Sequence, residues 1–274
     1  MIRRAPPDLV IGLALTGAVV LMALVSVLWP PHDPLAMDLS ARLLPPGPRA
    51  LMGTDAYGRD VASMILAGAR SALGVAAAAA GLGLFLGLPL GLAAAALGGW
   101  ADEAVMRLND LVFAFPALLL AVLLSALLGP GALNAVIAIG VFNTPVFARI
   151  SRGAAQDLWG RDFIAAARLA GKDRIAISLQ HILPNIAGGL AVQLAIQLSL
   201  AIAADAGLSF VGLGVQPPQP SWGRMLGEAQ TLAGQAPWLA IFPGAAILVT
   251  VLGLTLVGDG LAAWLDPRRR GGGE

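Results

Sequence analysis

The sequence predicts an all-α membrane protein with six transmembrane helices and both termini on the cytoplasmic side. Of its 274 residues, 58% are hydrophobic and only 12% are charged, whereas about a quarter of the residues in a soluble domain are charged. A spanning helix needs roughly 20 mostly apolar residues. Six stretches fit this requirement: 9–29, 72–97, 105–128, 132–148, 186–212 and 238–261.

The basic residues set the predicted orientation. With the N-terminus inside, 12 Lys and Arg residues fall on the inner side and 5 on the outer side, and cytoplasmic loops are the ones enriched in basic residues. The first span follows Arg3 and Arg4 and could be mistaken for a secretory signal. We interpret it as an uncleaved helix because its apolar run is long and no small-residue cleavage site follows it.

This topology divides the chain into four regions. The N-terminal tail and first helix occupy 1–29, and an external loop rich in Pro, Gly and Asp occupies 30–71. A five-helix core follows over 72–264, and a basic cytoplasmic tail over 265–274. The turn residues of the external loop predict a folded segment and not a span.

Small residues recur at every fourth position of the second span. On one face of a membrane helix, small side chains allow another helix backbone to approach closely. We therefore predict a helix-packing face made of Ala79, Gly83, Gly87, Gly91, Ala95 and Gly99.

Residues 161–185 form a polar insert in this apolar chain, here called the insert. Asp162 is a candidate N-cap for a first short helix, since its carboxylate accepts bonds from free backbone N–H groups. Gly171 has the backbone freedom that ends such a helix. Asp173 is the candidate cap of a second helix, and Pro184 is expected to end it.

The first helix of the insert is too short to be stable alone in water. Its candidate apolar side comprises Phe163, Ile164, Ala167 and Ala170. Either the cytoplasmic ends of the chain itself cover this side, or a partner with a groove for a helix does. The residues alone leave both possibilities open, and they favour a helix lying on lipid less because its apolar side chains are small and few.

Several polar residues fall inside the predicted spans. Asp205 is the most costly of them, because an acid within a membrane suggests a functional site. These residues either line a translocation pathway or gate it, or they bond one helix to another. The candidates are Asp205, Gln193, Gln197 and Asn143.

The external loop contains the sequence GTDAYGRD. Asp55, Arg59 and Asp60 predict a local ion-pair cluster that fixes the loop. The motif as a whole comprises Gly53, Thr54, Asp55, Gly58, Arg59 and Asp60.

The sequence indicates neither a metal site nor an ATPase site. It has no cysteine, and its two histidines, His32 and His181, fall on opposite sides of the membrane in the predicted topology. A phosphate-binding loop needs Gly, four residues, Gly, Lys and then Ser or Thr. Gly171 and Lys172 are followed by Asp173, so we expect no catalysis by this chain.

The insert resembles the cytoplasmic signature of ABC importer permeases. That signature is Glu-Ala-Ala, three residues, Gly, nine residues, Ile, any residue, then Leu-Pro. Ala165 replaces the usual Glu and His181 the usual Ile. The matching positions are Ala166, Ala167, Gly171, Leu183 and Pro184.

Three further segments resemble the dipeptide, oligopeptide and nickel branch of these permeases. They are 53–76, 181–185 and 206–226, and the whole resemblance extends over about 50–266. It implies the type I importer permease fold in a bacterial inner membrane. It also implies inward transport of short peptides, with nickel or another small solute as the alternative within the class. A self-sufficient secondary transporter is the alternative from a different class.

The same resemblance implies the partners. These are a homologous second permease subunit, cytoplasmic ATPase subunits that bind ATP and Mg²⁺, and an extracytoplasmic solute-binding protein. The chain itself is expected to contact the lipid bilayer, to bind no cofactor and to have no nucleic-acid partner. The insert would be the helix that couples ATP hydrolysis to transport, through Phe163, Ala166, Ala167, Arg168, Gly171, Leu183 and Pro184.

Overall fold

A computed structural model describes residues 5–28, 32–115 and 117–266. The end of the first predicted span, Pro116 and the basic tail beyond 266 lie outside these residues. Within them the chain is all-α. Its helices are α1 (Pro7–Leu28), α2 (Val61–Leu97), α3 (Gly99–Ala114), α4 (Ala117–Leu128), α5 (Ala132–Trp159), α6 (Asp162–Leu169), α7 (Arg174–Ile177), α8 (Leu183–Phe210), α9 (Trp222–Ala229) and α10 (Trp238–Leu265).

The described residues contain five unbroken helical runs that are long and apolar enough to cross a membrane. They are α1, α2, α5, α10 and the continuous run Arg174–Phe210, which includes α7 and α8. Helices α3 and α4 meet the same criteria only as a pair, with a bend of 85° between them. The prediction of six spans therefore holds if α3 and α4 are counted as one broken span.

Helix α2 begins at Val61, eleven residues before the predicted start of the second span at 72. The Asp60 carboxylate caps it and accepts bonds from the Ser63 backbone N–H at 2.9 Å and the Ser63 hydroxyl at 2.7 Å. Arg70 interrupts the apolar run of the first turns, and the predicted span therefore began after it. At about 1.5 Å per residue, α2 extends beyond the roughly 30 Å hydrocarbon core of a bilayer.

The small residues of α2 pack against α5. A Cβ atom added to Gly87 would lie 2.8 Å from the Phe147 Cβ, and one added to Gly91 would lie 2.9 Å from the Arg152 backbone nitrogen. The predicted packing face is confirmed at these positions. It does not extend to Gly99, which lies in α3 with open space where a Cβ would be.

Helix α1 lies antiparallel against α10 at the edge of the bundle. A Cβ added to Gly12 would meet the Val257 backbone nitrogen at 2.6 Å, and one added to Gly260 would meet the Leu9 Cα at 2.5 Å. Such contacts require glycine because backbones approach too closely for a side chain.

The buried core has two parts, one at each end of the bundle. The larger part joins α2, α9 and α10 below the segments 32–60 and 211–237, here called the outer end, and includes Val61, Ile65 and Trp222. The smaller part lies at the opposite end, under the insert. These two ends carry the predicted loop and insert sites.

Candidate functional site

The first helix of the insert, α6, ends in a Schellman motif at Gly171. The Gly171 N–H donates to the Arg168 carbonyl at 2.9 Å, and the Lys172 N–H donates to the Ala167 carbonyl at 3.1 Å. Gly171 has a φ of +82°, a backbone conformation that side chains with a Cβ disfavour. The prediction that Gly171 ends the helix is confirmed.

Of the two capping predictions, one is right and one is wrong. The Asp173 carboxylate accepts a bond from the Ala176 N–H at 2.7 Å and caps α7. Asp162, in contrast, is itself the first residue of α6, and the cap position is Arg161, which makes no side-chain capping bond. A carboxylate in the first turn still interacts favourably with the positive end of the helix.

The prediction that Pro184 ends the second helix of the insert is wrong. The chain continues from α7 through a π-helical turn, Ser178–Ile182, directly into α8. Pro184 lies in the first turn of α8. In a straight α-helix its ring would clash with the carbonyl four residues earlier. The wider π turn there relieves this clash and lets the helix continue.

One side of the insert packs on the chain itself. Ile164 is fully buried and Ala167 is buried beside it. They join a small apolar cluster that includes Phe147 of α5, together with Ile177 and Ile182. The chain itself therefore covers one side of α6, which is the first of the two possibilities considered. Ala167 lies on this buried side and helps to hold α6 against the bundle.

The other side of the insert is apolar and exposed. Leu169 is 91% exposed and Ile175 is 70% exposed. Phe163 and Leu179 are also exposed, as are the small residues Ala165 and Ala166. Phe163 and Ala170 were expected on the covered side but lie outside it. The insert thus presents large apolar side chains that the described chain does not cover.

Two basic residues of the insert contact other parts of this same end. The Arg168 guanidinium lies over the Trp159 ring, 5.0 Å from its centroid. The Lys172 Nζ lies 2.9 Å from the His181 Nε2 and donates to the Gln180 Oε1 at 2.8 Å. The first contact joins α6 to the end of α5, and the second joins the turn after α6 to the π turn.

Ion pairs between α3 and α5 were not foreseen from the sequence. Arg152 binds both carboxylate oxygens of Asp102, and Arg149 binds Asp110. In the sequence analysis, these basic residues were only counted to predict the orientation of the chain in the membrane. Their partners lie 50 and 39 residues away in sequence, so no local spacing rule could have found them.

The GTDAYGRD loop at the outer end has the Asp55–Arg59 pair of the predicted cluster, whereas Asp60 caps α2 instead. Asp55 accepts bonds from the Tyr57 and Arg59 backbone N–H groups, both at 2.8 Å, and from the Arg59 Nε at 2.6 Å. Asp55 is buried, and Gly53 and Gly58 both adopt positive φ angles. The loop is therefore a closed turn held by its own side chains.

The same loop is bonded to distant parts of the outer end. Arg59 reaches Glu228 of α9 at 3.4 Å, and the Trp238 indole donates to the Thr54 carbonyl at 3.2 Å. The Thr54 hydroxyl accepts from the Leu44 N–H and donates to the Ala41 carbonyl. A cavity of about 420 Å³ lies between this loop and α9.

The four polar candidates within the spans do not converge on one point. Asn143 and Gln197 are buried and line one cavity of about 170 Å³ between α4, α5 and α8. Asp205 is also buried, but its contact is with the Ser209 hydroxyl at 3.5 Å, nearer the outer end. Gln193 is half-buried. Neither Asp205 nor Gln193 lines that cavity.

The bundle, with a helical insert between α5 and α8, is the fold of an ABC importer permease. A chain of the MetNI methionine ABC transporter, solved in inward-facing conformations, has a similar structure with a TM-score of 0.59 and 20% sequence identity. The match covers 74% of this chain and 96% of that one.

Sequence comparison establishes the family. The profile of the family described as "Binding-protein-dependent transport system inner membrane component" matches residues 87–271. The chain belongs to this family, so it is a multi-pass permease subunit of an inner-membrane ABC transporter and not its ATPase subunit. The expected resemblance is confirmed, and the alternative of a self-sufficient secondary transporter is excluded.

Similar proteins cover most of the chain. The dipeptide transport system permease protein DppC of Alkalihalophilus pseudofirmus is 38% identical over 95% of this chain and 86% of its own length. The di/tripeptide permease protein DppC of Pseudomonas aeruginosa is 40% identical over 94% of this chain and 87% of its own. The glutathione permease protein GsiD of Pectobacterium atrosepticum is 42% identical over 79% and 72%.

Proposed function

We propose that this chain forms half of the membrane pathway through which an ABC importer carries short peptides inward. The observation that carries this proposal is the agreement among the similar proteins, which are named for dipeptides, for di- and tripeptides and for glutathione. All three names describe small compounds of amino acids joined by amide bonds. We favour peptides over nickel for this reason.

The proposal assigns the insert to docking on an ATPase subunit that binds ATP and Mg²⁺. This assignment is supported by the fact that one side of the insert is buried and the other is exposed. Ile164 and Ala167 fasten α6 to the bundle, while Leu169 and Ile175 stay exposed and apolar. A helix face with exposed apolar anchors suits a partner that offers a groove. Such a face moves with the bundle because its other side is fixed to α5 and α8.

At the outer end we propose that the preformed GTDAYGRD loop and α9 receive the solute-binding protein. The loop is held by bonds within the chain, so docking there requires little ordering. Asp205 is assigned to gating near this end. The Ser209 hydroxyl beside it accepts a bond from the Val215 N–H at 3.3 Å, which links α8 to the turn before α9. Gln193 remains a proposed pathway residue.

A reconstituted transporter tests this function. The complex is purified through a tag on this chain, so that its own second permease and ATPase subunits accompany it, and is placed in vesicles with its binding protein. We expect saturable uptake of labelled di- and tripeptides that requires ATP. Uptake of free Ni²⁺ and not of peptides would contradict the proposed substrate, and peptide uptake without ATP would contradict the coupling.

A further inference from the structure

The cavity between α4, α5 and α8 combines apolar walls with two primary amides. Among the described residues that line it, eight are apolar and none is charged. The two others are Asn143 of α5 and Gln197 of α8. Its volume of about 170 Å³ is below the roughly 300 Å³ of the smallest pockets that enclose drug-sized ligands. The cavity is therefore large enough for one chemical group of a larger solute.

Asn143 brings an unused hydrogen-bond donor to this cavity. Its side chain is 4% exposed, and its Nδ2 has no acceptor within the part of the chain that the structure describes. A buried donor without a partner is unfavourable, and native proteins rarely keep one without a use. The position is also tightly built, because a Cβ added to Gly83 of α2 would lie 2.5 Å from the Asn143 Cβ.

Ser199, which lies in α8 with Gln197, shows how a hydroxyl with a purely structural role is bonded. Ser199 lies two residues after Gln197 and is equally buried. Its hydroxyl donates to the Val251 carbonyl of α10 at 3.1 Å and lies 3.0 Å from the Thr255 hydroxyl. Ser199 therefore bonds one helix to another, whereas the Asn143 donor has no partner in the described part of the chain and Asn143 lines a cavity.

The chemistry of the cavity indicates which group would bind there. A carboxamide is both a donor through its NH₂ and an acceptor through its oxygen. Two carboxamides in apolar surroundings suit a neutral group that also has one acceptor and one donor. The peptide group, with its C=O and N–H, has this composition. A charged group would find no charge of opposite sign among the lining residues.

We propose that Asn143 and Gln197 bind the peptide group of the solute as it passes through the membrane, independently of its side chains. This inference depends on the proposed function, since it names how the same pathway recognises its substrate. Asn143 donates to the peptide carbonyl and Gln197 accepts from the peptide N–H. Recognition of the main chain would let one pathway accept peptides with different side chains.

The test compares a dipeptide with its ester-linked analogue, in which oxygen replaces the peptide N–H. Uptake of both is measured in the reconstituted transporter for the wild-type chain, Asn143→Leu, Gln197→Leu and the control Ser199→Ala. Leu has the branched shape of Asn and one non-hydrogen atom fewer than Gln, and both substitutions remove hydrogen bonding. Because the binding protein is the same throughout, a change in discrimination between the two solutes originates in the membrane.

The wild-type transporter is expected to prefer the dipeptide over the ester. Gln197→Leu is expected to lower this preference by about three- to tenfold, the effect of one hydrogen bond, and Asn143→Leu to raise KM for both solutes. Ser199→Ala should leave preference and KM unchanged. An unchanged preference and unchanged KM in both Leu variants would overturn the inference while peptide uptake itself stands.

Two other outcomes are also decisive. If Asn143→Leu releases the second permease subunit during purification, that variant reports on assembly, and Gln197→Leu decides the inference: an unchanged preference for the dipeptide overturns it. If the wild-type transporter takes up neither compound but does transport another solute, the proposed function itself has failed.

Discussion

The two ends of the bundle are held together by different interactions. At the outer end, Asp55 accepts three hydrogen bonds within its own loop, and the Trp222 and Trp238 indoles donate to the Ile65 and Thr54 carbonyls. At the insert end, a small apolar cluster holds one side of α6. Leu169 of α6 and Ile175 of α7 are exposed, as are further apolar residues of the insert.

This difference indicates how each end is used. The outer loop bonds its own polar groups, and Trp222 is buried beneath it, so the fold of this end is held by contacts within the chain. The insert leaves apolar side chains exposed, and contiguous exposed apolar surface is typical of an interaction site. We propose that another protein covers the exposed side of the insert, whereas bonds within the chain already hold the shape of the outer loop.

The largest effect is expected from removing the aromatic anchor of the outer end. Trp222 is 2% exposed and packs against Gly68 of α2. Trp222→Ala should lower the free energy of unfolding by about 3–5 kcal/mol. Thermal unfolding in detergent measures it, with Trp100→Ala as the control because Trp100 is 83% exposed. Equal losses in both variants would show that the outer end does not depend on this anchor.

The next effect concerns the bundle between the two ends. Gly87→Leu inserts a side chain where a Cβ already lies 2.8 Å from the Phe147 Cβ, so overpacking should cost about 1–3 kcal/mol. Gly81→Leu, also on α2, is the matched control because nothing lies within 4 Å of its Cβ position. The measurement is again thermal unfolding, and similar midpoints for both variants would contradict the close α2–α5 packing.

At the insert, a backbone change should separate stability from coupling. Gly171→Val forces a β-branched residue into a φ of +82°, which costs roughly 1–2 kcal/mol and changes the angle between α6 and α7. Peptide-stimulated ATP hydrolysis and uptake should become uncoupled. Gly160→Val is the control, since Gly160 has a φ of −85° and equally open space. Normal coupling in Gly171→Val would contradict the role of this turn.

The smallest effect on stability is expected on the exposed side of the insert. Leu169→Ser combined with Ile175→Ser removes no buried contact, so the unfolding free energy should change by only about 0.5 kcal/mol. Co-purification of the ATPase subunit should fall nevertheless. Leu51→Ser, at the outer end and also exposed, serves as the control. Full retention of the ATPase subunit would show that these side chains are not part of the contact.

The sequence predicted features that depend on local chemistry. Hydropathy located the spans, four-residue spacing located the α2 packing face at Gly87 and Gly91, and the need for a positive φ identified Gly171. The early start of α2 at Val61 was missed because Arg70 interrupts the apolar run and the Asp60 cap was not recognised. Pro184 was misread because the π turn that accommodates it has no simple sequence pattern.

The arrangement of the sites depended on contacts between distant residues. Asp55 and Arg59 are four residues apart, and their ion pair was predictable. The bond from Arg59 to Glu228 joins residues 169 positions apart and was not. Similarly, Asn143 and Gln197 were both recognised as polar residues in spans. Only the packing of α5 against α8 shows that they share a cavity while Asp205 and Gln193 do not.

The most direct test of the account is a crosslink from the exposed side of the insert. Leu169 is replaced by Cys in this cysteine-free chain, the variant is crosslinked in native membranes, and partners are identified by mass spectrometry. Leu51→Cys is the control at the outer end. We expect Leu169→Cys to crosslink to a soluble ATPase subunit with a yield that ATP changes, and Leu51→Cys not to do so. Crosslinks from Leu169→Cys only to lipid or to this chain would contradict the claim that the insert docks on an ATPase.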